Sequence, residues 1–155
     1  MINQKIDKLF NFKEKIIIVT GSSGQIGSSF CKLFLDIGAI VYGFDKGSNR
    51  LKHKNYTYRK VDITKKKIVE KNINLLIKNH QKIDVIINNA GFSVFTKFYE
   101  RTNRELDKTI NINIKGTLNI INSYAKVHKE KKLKKCNIIN IGSIYGIISP
   151  DFRIY

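Results

Sequence analysis

The sequence has no long apolar run: nothing in it approaches the roughly 20 consecutive apolar residues that a membrane-crossing helix needs. The first residues, MINQKIDKLFNFKEK, have Lys or Asp within every apolar stretch, so they lack the pattern of a secretory signal peptide. The apolar fraction, 42%, is ordinary for a globular protein, and 155 residues can form one domain with its own core. We therefore expect a cytoplasmic protein with no membrane partner.

Cysteine is also scarce, and Cys31 and Cys136 are the only two. Two isolated cysteines without nearby ligand residues do not form a metal site, so no bound metal is expected. Cys31 lies on the apolar face of a predicted helix, and Cys136 lies beside a predicted strand. Because free Cys is usually buried, we expect two reduced and mostly buried thiols.

Acidic residues are few: 12 Asp and Glu stand against 29 Lys and Arg, which gives a formal net charge of +17. A nucleic-acid-binding protein is one interpretation, and an affinity that falls steeply with salt would support it. However, the excess is mostly Lys, spread along the chain in short clusters such as Lys65–Lys67 and Lys129–Lys135. Aromatic residues do not alternate with basic ones in the way that stacks bases. We therefore expect no nucleic-acid partner.

Short apolar runs rich in β-branched residues recur along the chain and predict five strands. Continuous runs of this kind are typical of strands that are buried on both faces of a parallel sheet. The predicted strands are Lys15–Thr20, Ala39–Phe44, Tyr56–Val61, Ile83–Ile87 and Asn137–Ile141.

Apolar residues at helical spacing predict three helices between these strands. The first is Gln25–Ile37, which Gly38 would close. The second follows Thr64 as its N-cap and continues to about residue 79, and the third runs from about residue 102 to 128. The expected apolar face of the second helix is formed by Ile68, Ile73, Leu76 and Ile77. That of the third is formed by Leu106, Ile110, Ile114, Leu118, Ile121 and Ala125.

Strands that alternate with helices predict a doubly wound parallel α/β sheet of the Rossmann type. Right-handed crossovers place its five strands in the order 3-2-1-4-5. Residues Ile144–Tyr155 contain the only proline, Pro150, and are expected to form a loop. Because no linker or repeat divides the chain, we expect residues 1–155 to form a single domain that is truncated after strand 5 and so incomplete at its C-terminus.

Ligands of such sheets bind at the carboxyl ends of the strands, near the switch between strands 1 and 4. Small or polar residues follow every predicted strand at this edge. They are Gly21, Asp45, Asp62, Asn88 and Ser143. Their shared position predicts a ligand site there more strongly than any one of them does.

The segment TGSSGQIG, residues 20–27, joins the first strand to the first helix. Glycine allows a sharp turn and a close approach of phosphate to the backbone, and the helix N-terminus offers free N–H groups to a pyrophosphate. In this strand–turn–helix context the segment predicts a nucleotide site. Its expected binding residues are Gly21, Ser22, Ser23, Gly24, Gln25, Ile26 and Gly27.

Asp45 ends the second strand at the spacing of the acidic residue that hydrogen-bonds a ribose 2′-hydroxyl. A carboxylate there would repel a 2′-phosphate, so we expect NAD as the cofactor in preference to NADP. Lys46 and Arg50 follow at once and could partly reverse this preference, which leaves NADP as an alternative. A solvated loop aspartate is the other interpretation of Asp45.

Five pieces occur in an order that resembles the short-chain dehydrogenases/reductases: TGSSGQIG, VDI at 61–63, NNAG at 88–91, NINIKG at 111–116 and the serine after strand 5. The resemblance covers almost the whole chain from Phe10 onward, and NNAG is its most diagnostic piece. The glycine spacing resembles the extended branch of the family, whereas NNAG resembles its other main branch. The branch therefore stays open.

The resemblance implies roles for residues beyond the glycine-rich turn. Asp62 and Ile63 would lie near the adenine ring, and Asn89, Ala90 and Gly91 would line the cofactor cleft. Asn113 matches the catalytic asparagine that holds a helix kink and a proton-relay water, with Asn111 as a nearby competitor. Ser143 matches the serine that hydrogen-bonds the substrate, and a simple strand-end cap is its other interpretation.

The family's general acid/base is a Tyr with a Lys four residues later. Tyr145 is too close to Ser143 for this role, Tyr155 is near the expected distance, and no Tyr-x-x-x-Lys occurs within residues 144–155. The resemblance thus implies an NAD(P)-dependent oxidoreductase of a small-molecule alcohol or ketone, with homo-oligomeric full-length relatives. We expect the polypeptide of residues 1–155 to lack dehydrogenase activity by itself. The alternative to an oxidoreductase is a truncated protein that binds a nucleotide and has no catalytic function.

One further resemblance concerns the substrate. SIYGIISPDFRIY, residues 143–155, is similar to a short-chain subgroup of bacterial surface-sugar biosynthesis, in which the catalytic Tyr follows a longer loop. This implies a sugar derivative as substrate, and it would make Tyr155 a loop residue near the substrate pocket.

Overall fold

The computed structural model describes residues 11–148, apart from the side chain of Phe98. Its five strands form one parallel sheet in the order β3-β2-β1-β4-β5, which confirms the predicted topology. The strands are β1 Ile16–Thr20, β2 Ile40–Asp45, β3 Tyr56–Lys60, β4 Val85–Asn88 and β5 Asn137–Asn140. Each lies within one or two residues of its predicted bounds.

Helices cover both faces of the sheet. They are α1 Gln25–Asp36, α2 Lys66–His80, α3 Asn103–Ile110 and α4 Thr117–Lys131, and a π-helix, Asn111–Gly116, joins α3 to α4. Short 3-10 turns occupy Phe98–Glu100 and Ile144–Gly146. In the described part of the chain, no helix combines the length and apolar character that would let it cross a bilayer.

The strands β1 and β4 are buried along their whole length, which is why their sequences are continuously apolar. Side chains alternate between two cores, one on each face of the sheet. On one face Ile17 and Val19 pack in a cluster with Cys31 and Leu35 of α1. The other face packs against α2 and α4, and its cluster includes Ile16, Ile18, Ile73, Ile77, Ile120 and Tyr124.

Both cysteines are free thiols, and only Cys31 is fully buried, whereas Cys136 is half-buried. Burial raises the pKa of the Cys31 thiol to about 12, despite a hydrogen bond with Tyr56 that lowers it. The thiol is therefore protonated at neutral pH and belongs to the core. Gly38, as predicted, follows the end of α1 with a positive φ of 89°.

The start of α2 differs from the prediction. Thr64 is not its N-cap: the Thr64 N–H and hydroxyl both donate to Asp62 Oδ1, at 2.9 and 2.7 Å. The helix is instead preceded by Lys65, which provides no side-chain cap. Asp62 and Thr64 form a local turn that competes with capping. Within the helix Val69 is buried, whereas Ile68, expected on the apolar face, is exposed.

The predicted third helix is helical throughout, from Asn103 to Lys131, but its middle section, Asn111–Gly116, is a π-helix that the apolar pattern did not predict. Its start is correct, because Thr102 caps α3 in a reciprocal capping box with Glu105. The face predicted to be apolar is largely on the surface, both before the π-helix at Leu106 and from the π-helix onward, with Ile114 at 55% and Leu118 at 47% exposure. The residues of α4 that enter the core are Ile120, Ser123, Tyr124 and Val127.

The segment after β5 also differs in part from the predicted loop, because Ile144–Gly146 forms a single 3-10 turn. Pro150 and Tyr155 lie outside the described residues. The side chains of β5 are all exposed within the described part of the chain.

Candidate functional site

The glycine-rich turn bends sharply where β1 meets α1. Gly21 has a φ of +67°, and a Cβ atom built on it would lie 2.8 Å from Ala90 Cα. Its N–H donates to the Phe44 carbonyl oxygen at 2.8 Å, which fixes the turn against the end of β2. Only glycine meets both conditions, because the conformation and the contact each exclude a side chain.

Gly27 lets the first turn of α1 pack directly on this bend. A Cβ atom on Gly27 would lie 2.1 Å from the Gly21 carbonyl oxygen. Gly24 is the N-cap of α1 and has no side chain to cap the helix. The first N–H groups of α1 and the positive end of its dipole therefore face the carboxyl edge of the sheet, as an anion site requires.

Asp45 lies at the end of β2, and both of its carboxylate oxygens accept hydrogen bonds from loop backbone. Oδ2 accepts from the Ser23 N–H at 2.9 Å, and Oδ1 accepts from the Gly47 N–H at 2.7 Å. Asp45 therefore links the glycine-rich turn to the turn after β2. Each oxygen keeps a further lone pair that could accept a hydroxyl donor.

Asp62 and Ile63 follow β3 at the same edge. Burial alone would raise the pKa of Asp62, but hydrogen bonds from Thr64 and the charges of Lys46 and Lys65 lower it below its ordinary value. Asp62 is thus ionised at neutral pH. The Ile63 carbonyl oxygen accepts from Asn119 Nδ2 at 2.9 Å, which ties this loop to α4.

Asn89 and Thr20 join the ends of β4 and β1. Asn89 Nδ2 donates to the Thr20 carbonyl oxygen at 3.0 Å and to that of Gly21 at 3.3 Å. The buried Thr20 hydroxyl accepts from the N–H groups of Asn89 and Ala90, each at 3.0 Å. These bonds hold the segment NNAG directly beside the glycine-rich turn.

Together these residues line one cleft of about 420 Å³ at the carboxyl edge of the sheet. Of the predicted cofactor-binding residues, the cleft brings together Gly21, Gly24, Gln25, Ile26, Gly27, Asp45, Asp62, Ile63, Asn89, Ala90 and Gly91. Sequence reasoning did not assign lining roles to Phe44, Val61, Phe92 and Ile112, which add apolar walls. Their apolar character does not mark them as lining residues, because apolar residues of the core cannot be distinguished from them in the sequence.

The two serines of the glycine-rich turn do not line this cleft. Ser22 is buried, and its hydroxyl accepts from the Tyr56 hydroxyl at 3.4 Å. Ser23 lies on the other side of Asp45, in a second cavity that also includes Lys32 and Arg50. Neither side chain reaches into the first cleft, so a role there would fall to backbone groups.

Asn113 lies within the π-helix and forms a reciprocal pair with the backbone of Phe92. The Phe92 N–H donates to Asn113 Oδ1 at 2.8 Å, and Asn113 Nδ2 donates to the Phe92 carbonyl oxygen at 2.9 Å. The pair joins the π-helix to the segment that follows NNAG, and Asn111 takes no part in it. Lys108 Nζ lies 3.8 Å from the centre of the Phe92 ring, a cation–π contact.

Ser143 lies after β5 at the same edge of the sheet and is exposed. Its Oγ accepts from the Tyr145 N–H at 3.2 Å and so caps the 3-10 turn. The hydroxyl hydrogen is not used in this contact, which leaves it available to an acceptor. Across residues 11–148, no group of three or more His, Cys, Asp or Glu side chains could hold a metal ion.

The sheet order, the glycine-rich turn and the cleft define a doubly wound α/β protein of the Rossmann type. The family model described as short chain dehydrogenase matches residues 15–155. The chain therefore belongs to the short-chain dehydrogenase family, as the order of its motifs predicts.

Three similar proteins illustrate the relationship. An uncharacterized oxidoreductase of Staphylococcus saprophyticus is 31% identical over 153 residues, which is 94% of this chain and 61% of that protein. A short chain dehydrogenase of Leptospira borgpetersenii with bound NAD+ is 34% identical, with a TM-score of 0.89 over 97% of this chain and 59% of that one. A variant of ElxO with NADPH bound is 28% identical, with a TM-score of 0.79 over 91% of this chain and 60% of that one.

The chain spans about half to three fifths of the length of the curated relatives that it matches. The comparisons thus concern the portion with the sheet, the glycine-rich turn and the cleft.

Proposed function

We propose that residues 1–155 form a single NAD(P)-binding domain of a short-chain oxidoreductase, which transfers hydride between the nicotinamide and an alcohol or ketone. The observation that carries this proposal is the glycine cradle under the uncapped N-terminus of α1. Side chains at Gly21 or Gly27 would fill the space where the turn meets NNAG and α1. A diphosphate is the ligand that suits such a site, because backbone N–H groups and the helix dipole both favour an anion there.

The rest of the cleft supports the placement of a dinucleotide. Asp45 would accept from the adenosine ribose, and Asp62 and Ile63 would lie beside the adenine, each at the end of the appropriate strand. Bound NAD(P) supplies the hydride, and the protein supplies orientation and electrostatics. Asn113 holds the chain after NNAG in place, and Ser143 would donate its hydroxyl hydrogen to the substrate oxygen.

NAD is proposed in preference to NADP. The Asp45 carboxylate is held in one orientation by the N–H groups of Ser23 and Gly47. A fixed negative charge next to the ribose 2′ position would repel a 2′-phosphate. Arg50 and Lys32 line the neighbouring cavity and work in the opposite direction, so the preference is expected to be moderate.

A titration of the protein with NADH, followed by nicotinamide fluorescence, tests the nucleotide site. We expect saturable binding that ADP-ribose displaces. Gly27→Ala should abolish it because the added methyl group collides with the Gly21 carbonyl oxygen, whereas Gly142→Ala is the control, with nothing within 4 Å of its added carbon. Binding that is absent in the wild type, or unchanged in Gly27→Ala, would contradict the proposal.

Turnover is tested separately. A polypeptide of residues 1–155 is expected to bind dinucleotide without NAD-linked turnover, because no Tyr-x-x-x-Lys follows Ser143 within it. Measurable reduction of NAD+ with any of a panel of alcohols and sugar derivatives would contradict this expectation. A sugar derivative remains the proposed substrate class, on the resemblance of residues 143–155.

A further inference from the structure

Tyr58 contacts the turn that follows β2, although it belongs to β3. It pairs with Gly43 across the two strands, and its side chain reaches the end of β2 and the turn beyond it. The Tyr58 hydroxyl lies 3.1 Å from the Asp45 carbonyl oxygen and also in hydrogen-bond contact with the Gly47 carbonyl oxygen. A single phenolic hydrogen can be donated to either carbonyl.

The two carbonyls differ in how they are held. That of Asp45 also accepts from the Val61 N–H at 2.8 Å, so the sheet fixes it without Tyr58. Gly47 lies beyond the strand, between the exposed residues Lys46 and Ser48. The distinct contribution of Tyr58 is therefore to hold the Gly47 peptide.

The Gly47 residue in turn holds the Asp45 carboxylate, since its N–H donates to Asp45 Oδ1 at 2.7 Å. Two successive contacts therefore connect the Tyr58 hydroxyl to the Gly47 residue, and the Gly47 residue to the side chain of Asp45. Burial, and then the negative charge of Asp45, raise the pKa of Tyr58, so its hydroxyl keeps its proton at neutral pH. The Tyr58 hydroxyl can therefore donate its hydrogen bond at neutral pH.

We propose that Tyr58 is a positioning residue for cofactor choice: it holds the Gly47 turn and thereby keeps the Asp45 carboxylate facing the ribose 2′ position. This inference rests on the proposed nucleotide site. When the carboxylate cannot turn away, a 2′-phosphate meets its full negative charge. When the turn is released, the carboxylate keeps only its hydrogen bond from the Ser23 N–H and can shift, and Lys32 and Arg50 of the neighbouring cavity then favour the phosphate.

The test compares dissociation constants for NADH and NADPH in the wild type and in Tyr58→Phe. We expect the NADPH/NADH ratio of dissociation constants to fall by about fivefold, as the loss of one ordinary hydrogen bond would allow. Tyr56→Phe is the matched control, because its hydroxyl lies on the same face of β3 but contacts Ser22 rather than the Gly47 turn. In Tyr56→Phe the ratio should stay at the wild-type value.

A folded Tyr58→Phe protein with an unchanged ratio, or with both cofactors weakened equally, would overturn the inference and leave the nucleotide site standing. If Tyr58→Phe does not fold, Tyr58→Leu decides, because leucine also lacks the hydroxyl and should lower the same ratio. Gly47→Pro should lower it as well, because proline lacks the N–H that reaches Asp45 Oδ1. A wild type that binds neither dinucleotide would overturn the proposed function itself, and this inference with it.

Discussion

At the scale of a single residue, the Asp45 carboxylate combines an electrostatic role with a structural one. Its oxygens connect the glycine-rich turn to the Gly47 turn, and in the proposed nucleotide site its charge would oppose a 2′-phosphate. The position of Asp45 after a strand predicts the electrostatic role, because the acidic residue that faces the ribose has a fixed place in this fold. The structural role, which connects the two turns, could not be predicted, since it depends on the backbone geometry of two loops that are distant in sequence.

Replacing Asp45 by Ser should make the protein accept NADP. Removal of one negative charge next to the 2′ position, beside Lys32 and Arg50, should lower the dissociation constant of NADPH relative to NADH by about tenfold or more. Fluorescence titrations of both cofactors measure the ratio. Asp107→Ser on the exposed surface of α3 is the control, and an equal shift there would show that net charge alone is responsible.

Asn113 and Asn111 both match the asparagine expected in the NINIKG segment, and the structure distinguishes them. Only Asn113 makes the two hydrogen bonds with Phe92. Asn113→Ala should lower the free energy of unfolding by about 0.5–1.5 kcal/mol, because two hydrogen bonds with the Phe92 backbone are lost at a position that water can reach. Urea denaturation measures this loss. Asn111→Ala is the matched control, and a larger loss in that variant would assign the role to Asn111 instead.

At the scale of elements, the strand order follows from the sequence because each strand is short and is followed by a small or polar residue, whereas the division of the third predicted helix into three helical sections does not. The helix after Asp62 was placed with the wrong cap, since Thr64 bonds to Asp62 instead. The π-helix has no signal in the apolar pattern: it inserts a change of period between α3 and α4. Both failures lie next to the cleft, where local hydrogen bonds outweigh periodicity.

Asp84 joins β1 to β4 at the edge of the sheet opposite the cleft. Oδ2 accepts from the Ile16 N–H at 2.9 Å, and Lys15 and Lys82 lie 2.9 and 3.1 Å from the carboxylate. Burial alone would raise the pKa of Asp84, but the bond from Ile16 and those from the two lysines lower it. Because the folded pKa is below the unfolded one, this stabilisation is present above the unfolded pKa and is lost as the pH falls through the folded value.

Asp84→Asn should therefore lower the free energy of unfolding by about 1–3 kcal/mol at neutral pH. The variant should also lose less stability than the wild type as the pH falls below about 4. Urea denaturation between neutral and acid pH measures both effects. Asp107→Asn is the control at a solvent-exposed position, and parallel pH curves for wild type and Asp84→Asn would contradict the linkage.

At the scale of the whole molecule, two surfaces of residues 11–148 expose apolar side chains together. One includes Ile114 of the π-helix and Leu118 of α4, and the other is β5 with Ile138 and Ile139. An exposed parallel strand at a sheet edge also presents unpaired backbone groups. Adjoining apolar surface of this kind favours self-association.

A net charge of +17 opposes this association, and salt decides which effect dominates. Repulsion between exposed charges is screened beyond about 10 Å at 0.1 M salt and beyond about 3 Å at 1 M, whereas apolar contact is not weakened. Sedimentation velocity of residues 1–155 should therefore show association that grows as salt is raised. The double variant Ile114→Lys, Leu118→Lys should reduce it several-fold, whereas Leu33→Lys, at a 54% exposed position of α1, should not. A monomer at high protein and high salt concentration would contradict the expectation, and association that salt dissolves would instead indicate contacts between opposite charges.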